Sequence, residues 1–275
     1  MSEDLLLRAG TWSVVTPASA GWRYLSFEVV SLPAGAAAER SSGGDEVCLV
    51  VLRGSCRVRS GGETFELPGR GDVFSGPPWS VYLPPGREYR VEALEELDLA
   101  VSGAVAERGG PARVIRPDEV EIEIRGAGSA TRQINHILPP EGAAHRLIVV
   151  EVYTPSGNWS SYPPHKHDED RGDAEAALEE IYHYRTRGDG AFGIQRLYSP
   201  RRELDLTAWV ADGDVLLVPH GYHMAAAPHA YDLYYLNALA GDRRSLAASD
   251  DPAMGWIRER WAGMEADPRL PMVQP

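Results

Sequence analysis

Short apolar runs, separated by clusters of glycine, proline and aspartate, make up most of this chain of 275 residues. Representative runs are found at residues 23–32, 46–52, 55–59, 147–153 and 214–218. Many short runs bounded by turn-forming residues predict a β-sandwich or barrel rather than alternating strands and helices. A helical pattern occurs near the end, at residues 252–264, where Trp256 and Trp261 serve as core or subunit contacts. We therefore predict an all-β fold with a short C-terminal helical segment.

Two sequence patterns recur, in the same order, in the two halves of the chain. In the first pattern a glutamate opens an apolar run that ends at a glycine, from Glu46 to Gly54 and again from Glu180 to Gly188. In the second, Gly-Asp-Val begins a strand that a proline closes, at residues 71–77 and 213–219. An internal repeat of this kind predicts two barrels built on one plan.

The junction between the two barrels is predicted near the middle of the chain. Glycine-rich residues 108–111 and 126–128 flank this point, and such segments mark turns and loops. We assign residues 1–125 to the first barrel and residues 126–275 to the second.

All eight histidines lie at or beyond position 136, so any histidine-based site belongs to the second barrel. His165 and His167 are separated by one residue, which puts both imidazoles on one face of an extended strand. Glu180 and His223 follow later in the chain. Three histidines and a carboxylate form a ligand set for a divalent metal with open positions. We expect one metal ion per chain.

Charge and hydropathy exclude several kinds of partner. The net charge is −13, and no stripe of lysine and arginine is available to bind phosphates, so nucleic acid is not an expected partner. No apolar stretch approaches about 20 residues, and no signal peptide precedes the first strand, so we expect a cytoplasmic protein without membrane contact. Cys48 and Cys56 fit buried free thiols in a reducing compartment.

These motifs resemble the cupins, which are small jelly-roll barrels. The second cupin motif is present at residues 213–223 and ends at His223, one residue early. The first motif is present as His165-x-His167, followed by an insertion at residues 168–178 and then Glu180. The resemblance implies two tandem cupin barrels, with metal ligands His165, His167, Glu180 and His223 in the second and a degenerate, ligand-free first barrel.

The insertion leaves more than one glutamate as the fourth ligand. Glu169, Glu179 and Glu180 all lie within reach in sequence. We favour Glu180 because the internal repeat places Glu46 at the equivalent start of a strand.

A closer resemblance, to the 5-deoxy-glucuronate isomerase family of myo-inositol catabolism, covers most of the second half. The matching blocks are residues 157–168, 193–198, 212–215, 218–223 and 234–237. The resemblance implies conversion of 5-deoxy-D-glucuronate to 5-dehydro-2-deoxy-D-gluconate, and kinship with the 4-deoxy-5-hexosulose-uronate isomerases. It further implies a small anionic sugar acid as substrate, zinc as the metal, with manganese or iron as alternatives, and a homo-oligomer.

The proposed reaction needs groups that move a proton and hold the substrate carboxylate. Tyr162 and Tyr182 are candidate acid/base or donor groups, and aromatic packing competes with that role. Arg196 is the candidate for the carboxylate, with Arg185 and Arg146 next. Lys166, the single lysine, can serve a substrate oxygen or a salt bridge, and on a regular strand it points away from its neighbouring histidines.

Two other function classes use the same fold. A cupin dioxygenase places iron in the same ligand set, and oxygen consumption distinguishes it from an isomerase. A sugar-sensing cupin without catalysis is the binding-protein alternative, although no basic patch or helix-turn-helix supports it.

Overall fold

The structure is a computed structural model that describes residues 5–275. Strands of the first half are β1 (Leu6–Leu7), β2 (Val14–Val15), β3 (Leu25–Leu32), β4 (Ala37–Ser41), β5 (Asp45–Ser60), β6 (Glu63–Arg70), β7 (Ser80–Leu83), β8 (Glu88–Ala93), β9 (Leu97–Val105), β10 (Arg113–Ile115) and β11 (Glu121–Arg125). Strands of the second half are β12 (Arg132–Leu138), β13 (Ile148–Thr154), β14 (Trp159–Lys166), β15 (Glu179–Thr186), β16 (Gly193–Tyr198), β17 (Asp205–Val210), β18 (Val215–Val218), β19 (Tyr222–Ala226), β20 (Leu233–Ala240) and β21 (Ser249–Asp250). The predicted all-β fold is confirmed.

Helices are short throughout the described residues. The α-helices are α1 (Pro17–Ala20) and α2 (Trp256–Glu259), and 3-10 turns occur at Pro117–Glu119 and Gly172–Ala174. The predicted C-terminal helical segment is present as α2, but it is a single turn and does not fill residues 252–264. Turns at both ends of α2, with Gly263 at φ 82° on the C-terminal side, keep the helix short.

The first barrel is one continuous sheet that curls around an aliphatic core. Its long strand β5 pairs with β7 and β9 in its first half and with β6 and β8 in its second half. Gly54 lies at the bend with φ 82°, and a Cβ there would stand 2.1 Å from the carbonyl oxygen of Glu96. Only glycine allows this backbone approach, so one strand can serve both faces of the barrel.

The second barrel is made of two sheets that face each other. Seven strands lie in the order β1-β18-β15-β20-β13-β12-β11, and five lie in the order β17-β16-β19-β14-β21. The candidate site residues come from β12, β14, β15, β19 and β20, and from α2 beside them. The sheets therefore hold the site between them.

Hydrogen bonding crosses the predicted junction between the halves. Strand β1 adds to the second barrel by pairing with β18, and β11 pairs with β12. Strand β10 instead adds to the first barrel by pairing with β7. The division at residue 125 stays a prediction, because short leading strands are shared across it.

A buried polar network joins the two barrels. The guanidinium of Arg70 lies 2.9 Å from the carboxylate of Glu151, and both side chains are almost fully buried. The hydroxyls of Tyr153 and Tyr234 and the amide of Asn135 also donate to Glu151. An ion pair this deep is tolerated only when hydrogen bonds satisfy its remaining atoms, and this network provides them.

The internal repeat is real, but the sequence alignment of its glutamates was wrong by one residue. Glu46 accepts main-chain hydrogen bonds from residues 145–147, and Glu179 accepts them from residues 23–25. The strand registers agree, since Val47 pairs with Leu83 at the end of β7 and Glu180 pairs with Val218 at the end of β18. Glu46 is thus the counterpart of Glu179, and Val47 that of Glu180.

The second repeated pattern predicts a strand that begins at residues 71–73, and this prediction is wrong. Residues 213–219 do lead into β18, whereas residues 71–76 form bends and turns and β7 begins only at Ser80. The hydroxyl of Ser75 accepts from the Asp72 amide, and Asp72 in turn accepts from the Phe74 amide, so local side-chain bonds favour a turn.

Both cysteines are buried and free, as predicted. Within residues 5–275, no helix has the length and apolar character needed to cross a bilayer.

Candidate metal and substrate site

Strand pairing brings the predicted histidines together. Residue His165 on β14 is the direct cross-strand partner of His223 on β19. His167 follows just after β14, and its main-chain carbonyl accepts a hydrogen bond from Leu178, which leads the chain back to Glu180 on β15. The insertion at residues 168–178 is therefore a loop that returns to the same point.

Three of the four predicted metal-ligating residues form a tight buried group. Nε2 of His167 lies 3.1 Å, and Nε2 of His223 lies 3.2 Å, from the same Glu180 carboxylate oxygen. All three side chains are buried, and their ligand atoms lie within 4.8 Å of one another. One carboxylate oxygen and two imidazole nitrogens thus converge on the same point.

Backbone carbonyls set the orientation of both rings. Nδ1 of His223 donates to the Gly221 carbonyl at 3.1 Å, and Nδ1 of His167 donates to the Leu178 carbonyl at 3.3 Å. Nε2 of each ring then faces the Glu180 carboxylate, and within residues 5–275 Nε2 of His223 is buried without a hydrogen-bond partner. A cation between these atoms would satisfy all of them, as in metal sites whose imidazoles are held by carbonyl groups.

Electrostatics distinguish the two rings. Burial lowers the pKa of His223 to about 4, so this ring is neutral and free to bind a metal at neutral pH. Burial also opposes charge on His167, but the hydrogen bond to Glu180 outweighs it and raises the pKa of His167.

His165 lies beside this group rather than inside it. Its ring centroid is 4.7 Å from that of His223 and 6.2 Å from that of His167. The side chain is partly exposed to the cavity. Burial, followed by the neighbouring histidines, holds the pKa of His165 well below its usual value, so the ring is a neutral donor facing the cavity.

A cavity of about 170 Å³ opens from the histidine–glutamate group. Its polar lining residues, besides the group itself, are Arg125, Arg132, His136, Ser161, Tyr182, Tyr235, Asn237 and Arg258. Apolar side chains from β12, β13 and β20 complete the wall. A concave space with a few convergent polar groups is typical of a small-molecule site.

The two predicted tyrosines have different surroundings. Tyr182 lines the cavity, and its hydroxyl lies 3.4 Å from Ser161 Oγ. Burial, and then the charge of Glu180, raises the pKa of Tyr182 well above its usual value. Tyr162 packs against Trp159, with ring centroids 5.3 Å apart, and is not among the residues that line the cavity.

Lys166 points away from the histidines that flank it. Its ammonium contacts Asp168 and lies 2.8 Å from the buried carboxylate of Glu175. Asp168 also accepts a hydrogen bond from the Gly221 amide at 2.7 Å. Lys166 thus connects the His165-x-His167 segment, the insertion and the loop that carries His223.

Arg196 is outside the cavity lining. Its guanidinium lies 3.4 Å from Asp205 and packs over the ring of Tyr198. Arg185 and Arg146, the other candidates for the carboxylate, are paired with Asp98 and Asp242.

Sequence reasoning missed the arginines that do line the cavity, which are Arg125, Arg132 and Arg258. One signal was available, since Arg132, Ile134 and His136 alternate along one strand and so share a face. Tyr235 and Asn237, two further lining residues, fall in the block at residues 234–237 that carries the family resemblance.

Solved structures of other proteins share the fold of this chain. A solved structure of a mutant of oxalate decarboxylase from Bacillus subtilis superposes with a TM-score of 0.60 at 14% identity, covering 86% of this chain and 74% of that one. This likeness concerns the fold alone, and it confirms the tandem cupin barrels. A crystal structure of an IolB-like protein from Salmonella typhimurium gives a TM-score of 0.89 at 38% identity, covering 92% of this chain and 99% of its own.

Sequence relatives agree with that structure. A 5-deoxy-glucuronate isomerase from Geobacillus thermodenitrificans is 47% identical over 89% of this chain and 90% of its own length. A 5-deoxy-glucuronate isomerase from Bacillus subtilis is 38% identical over 90% of this chain and 92% of its own length. The matching family model extends over residues 5–257 and thus includes every residue that lines the cavity except Arg258. On this agreement, the chain belongs to the KduI/IolB family.

Proposed function

We propose that this chain converts 5-deoxy-D-glucuronate to 5-dehydro-2-deoxy-D-gluconate, an aldose–ketose isomerisation in myo-inositol catabolism. The names of the relatives, with identities of up to 47%, support the reaction. The observation that carries it is the buried group of His167, Glu180 and His223 at the base of a cavity lined by hydroxyl and guanidinium groups.

The size of the cavity supports a substrate of this class. A water molecule needs on the order of 10–15 Å³ of such space. A volume of about 170 Å³ therefore holds roughly a dozen non-hydrogen atoms, as many as a six-carbon sugar acid contains.

The chemistry of the donor set fits a divalent metal. His165, His167, Glu180 and His223 would hold the ion, with zinc proposed first and manganese or iron as alternatives. When bound, such an ion supplies Lewis-acid stabilisation of the negative charge that develops on the sugar oxygens. The unsatisfied Nε2 of His223 supports this proposal, because a buried nitrogen without a partner costs free energy.

The residues of the chain orient the substrate and control its protons. Isomerisation moves a proton from C2 to C1 of the open-chain sugar. The raised pKa of Tyr182 keeps its hydroxyl protonated, so we assign it as a hydrogen-bond donor to a substrate oxygen rather than as a base. The hydroxyl of Tyr235 lies 2.6 Å from Ser160 Oγ. The hydroxyls of Tyr235 and Tyr182 both lie 3.4 Å from Ser161 Oγ, so the two tyrosines belong to one hydrogen-bonded wall of the cavity.

Turnover in heavy water tests the reaction. An enediol route either labels C1 of the ketose with deuterium or transfers the C2 hydrogen internally, and anaerobic turnover matches aerobic turnover. A requirement for oxygen would replace the isomerase with a cupin dioxygenase.

Elemental analysis tests the metal. We expect one equivalent of divalent metal per chain in the purified protein, and its loss in a variant with His165→Ala and His167→Ala. Two equivalents, or metal retained by that variant, would contradict the proposed ligands.

Two further expectations remain proposals. The cytoplasm is the proposed compartment, and the two buried free thiols support it. A homo-oligomer is the proposed assembly, and light scattering on the purified protein measures it.

A further inference from the structure

Three lysine or arginine side chains are buried among the described residues, and one of them has no acidic partner. Arg70 is paired with Glu151 at 2.9 Å, and Lys166 with Glu175 at 2.8 Å, and both of these carboxylates are fully buried. Arg132 is 5% exposed. Its Nη1 atom is buried without any hydrogen-bond partner within residues 5–275.

The surroundings of Arg132 make the lack of an acid more costly. Arg132 is the direct cross-strand partner of Arg125, and like charges placed opposite each other destabilise a sheet. The charged or ionisable groups that act on it most are Tyr235, Arg125, Tyr182 and Arg258, none of which is an acid that is ionised at neutral pH. An unpaired buried charge costs several kcal/mol, so this position favours an anion from outside the chain.

The two neighbouring arginines are already satisfied. Arg125 makes two bonds of 2.7 Å to the carboxylate oxygens of Glu123. Arg258 likewise donates two hydrogen bonds to the two carboxylate oxygens of Asp250. Arg132 is therefore the cavity arginine with hydrogen-bonding capacity to offer a ligand.

The position of Arg132 matches one end of the proposed substrate. Arg132 starts β12 and lines the cavity together with Ile134 and His136. His165 lines the same cavity, so Arg132 and the histidine–glutamate group face one space. A sugar acid whose aldehyde end lies at the histidine–glutamate group can place its carboxylate in this part of the cavity.

We infer that Arg132 binds the substrate carboxylate and so selects uronates over neutral sugars. This inference rests on the proposed function for its substrate. A guanidinium fork suits a planar carboxylate because two parallel N–H···O bonds form at once.

Kinetics and calorimetry on Arg132→Gln and Arg132→Lys test the inference. For Arg132→Gln we expect the KM for 5-deoxy-D-glucuronate to rise roughly ten- to a hundred-fold, the loss expected for a charge-assisted pair. Arg132→Lys should recover part of that loss, since the charge remains and the fork does not. Metal content should stay at the wild-type level in both variants, which separates substrate binding from a folding defect.

The matched control is Arg196→Gln, which removes the same charge from an arginine that lies outside the cavity and is paired with Asp205. Its KM should change less than threefold. An equal rise in KM in Arg196→Gln would show a general charge effect and overturn the assignment to Arg132, as would an unchanged KM in Arg132→Gln.

An inert acid separates this inference from the proposed function. We expect calorimetry to find D-gluconate binding to the wild-type protein and at least tenfold weaker binding to Arg132→Gln. Equal affinities would overturn the role of Arg132 even if the wild type isomerises the sugar. Tight binding to the wild type without turnover would instead refute the isomerase and leave the anion site standing.

Discussion

Lys166→Met separates a catalytic lysine from one that holds the site in position. The side chain of Lys166 is 7% exposed, and its ammonium lies 2.8 Å from the carboxylate of Glu175, whose side chain is fully buried. Breaking a buried pair by removing one partner typically costs about 3–5 kcal/mol. Glu175 keeps other donors, namely Arg171 and the amides of Asp168 and Glu169, so we expect a loss near 3 kcal/mol.

The expected thermal shift follows from the size of the chain. With an unfolding entropy of about 2.1 cal/mol/K per residue, a chain of 275 residues shifts its Tm by about 2 °C for each 1 kcal/mol, so Lys166→Met should lower Tm by roughly 5 °C. Measured well below that Tm, kcat should fall less than about tenfold, because Lys166 points away from the cavity. A general acid or base would instead contribute about 10²–10⁴-fold to kcat.

The control for this variant is Glu169→Gln. Glu169 lies 3.5 Å from the same ammonium but is 60% exposed, and exposed pairs contribute about 0–1 kcal/mol. Calorimetry and steady-state kinetics on both variants give the comparison. A hundredfold loss of kcat in Lys166→Met with an unchanged Tm would refute the positioning role and indicate that Lys166 takes part in catalysis.

The pH dependence of stability follows from the same pair. Burial opposes ionisation of Glu175, but hydrogen bonds from Lys166, Ser249 and Arg171 outweigh it and lower the pKa of Glu175 to about 2. The carboxylate therefore adds stability above its unfolded pKa, near 4.5, and loses it as pH falls toward 2. The gap in Tm between wild type and Lys166→Met should accordingly narrow below pH 4.5. A constant gap down to pH 3 would contradict this.

Three other substitutions have expected outcomes. Glu180→Gln should lose metal and activity together while the fold remains, as seen by elemental analysis and circular dichroism; full activity would remove Glu180 from the site. Tyr182→Phe should lower kcat roughly 10²-fold if its hydroxyl stabilises developing charge, whereas Tyr162→Phe, outside the cavity, should stay within about twofold. Glu151→Gln should destabilise the protein by about 3–5 kcal/mol in denaturant titrations, because Arg70 loses its buried counter-charge.

The fold was predictable because its signals are local. Strand runs, turn residues and the repeat are all visible in the sequence, and His165-x-His167 follows from strand alternation alone. The register of the repeat could not be predicted from the glutamates that begin the two matching strands. Glu179 and Glu180 are adjacent and identical in type, and only their contacts show that Glu179 matches Glu46.

The arginines of the site were harder to predict for a different reason. An arginine becomes available to a ligand when no acid of the protein reaches it, and this depends on contacts between strands that are distant in sequence. Arg196 and Arg132 look alike in the sequence, yet Asp205 pairs with Arg196, whereas no side chain of the described part of the protein pairs with Arg132 Nη1.

From residue 5 onward, the candidate metal ligands cluster in the second barrel, and the equivalent positions of the first barrel explain this difference. Ser41 pairs with Glu88 across β4 and β8, in the same place where His165 pairs with His223 across β14 and β19. The Ser41 hydroxyl donates to Glu88 at 2.5 Å, which satisfies both side chains without an ion.

The remaining ligand position of the first barrel is apolar. Val47 stands where the second barrel has Glu180, and it is buried in a continuous aliphatic cluster with Leu49, Val81 and Leu99. A filled interior contributes hydrophobic stability, whereas a cavity lined by polar groups gives up part of it. In this duplicated fold the first barrel has a packed interior, and its Arg70 stabilises the second barrel through the ion pair with Glu151. The second barrel keeps an open, polar interior for chemistry.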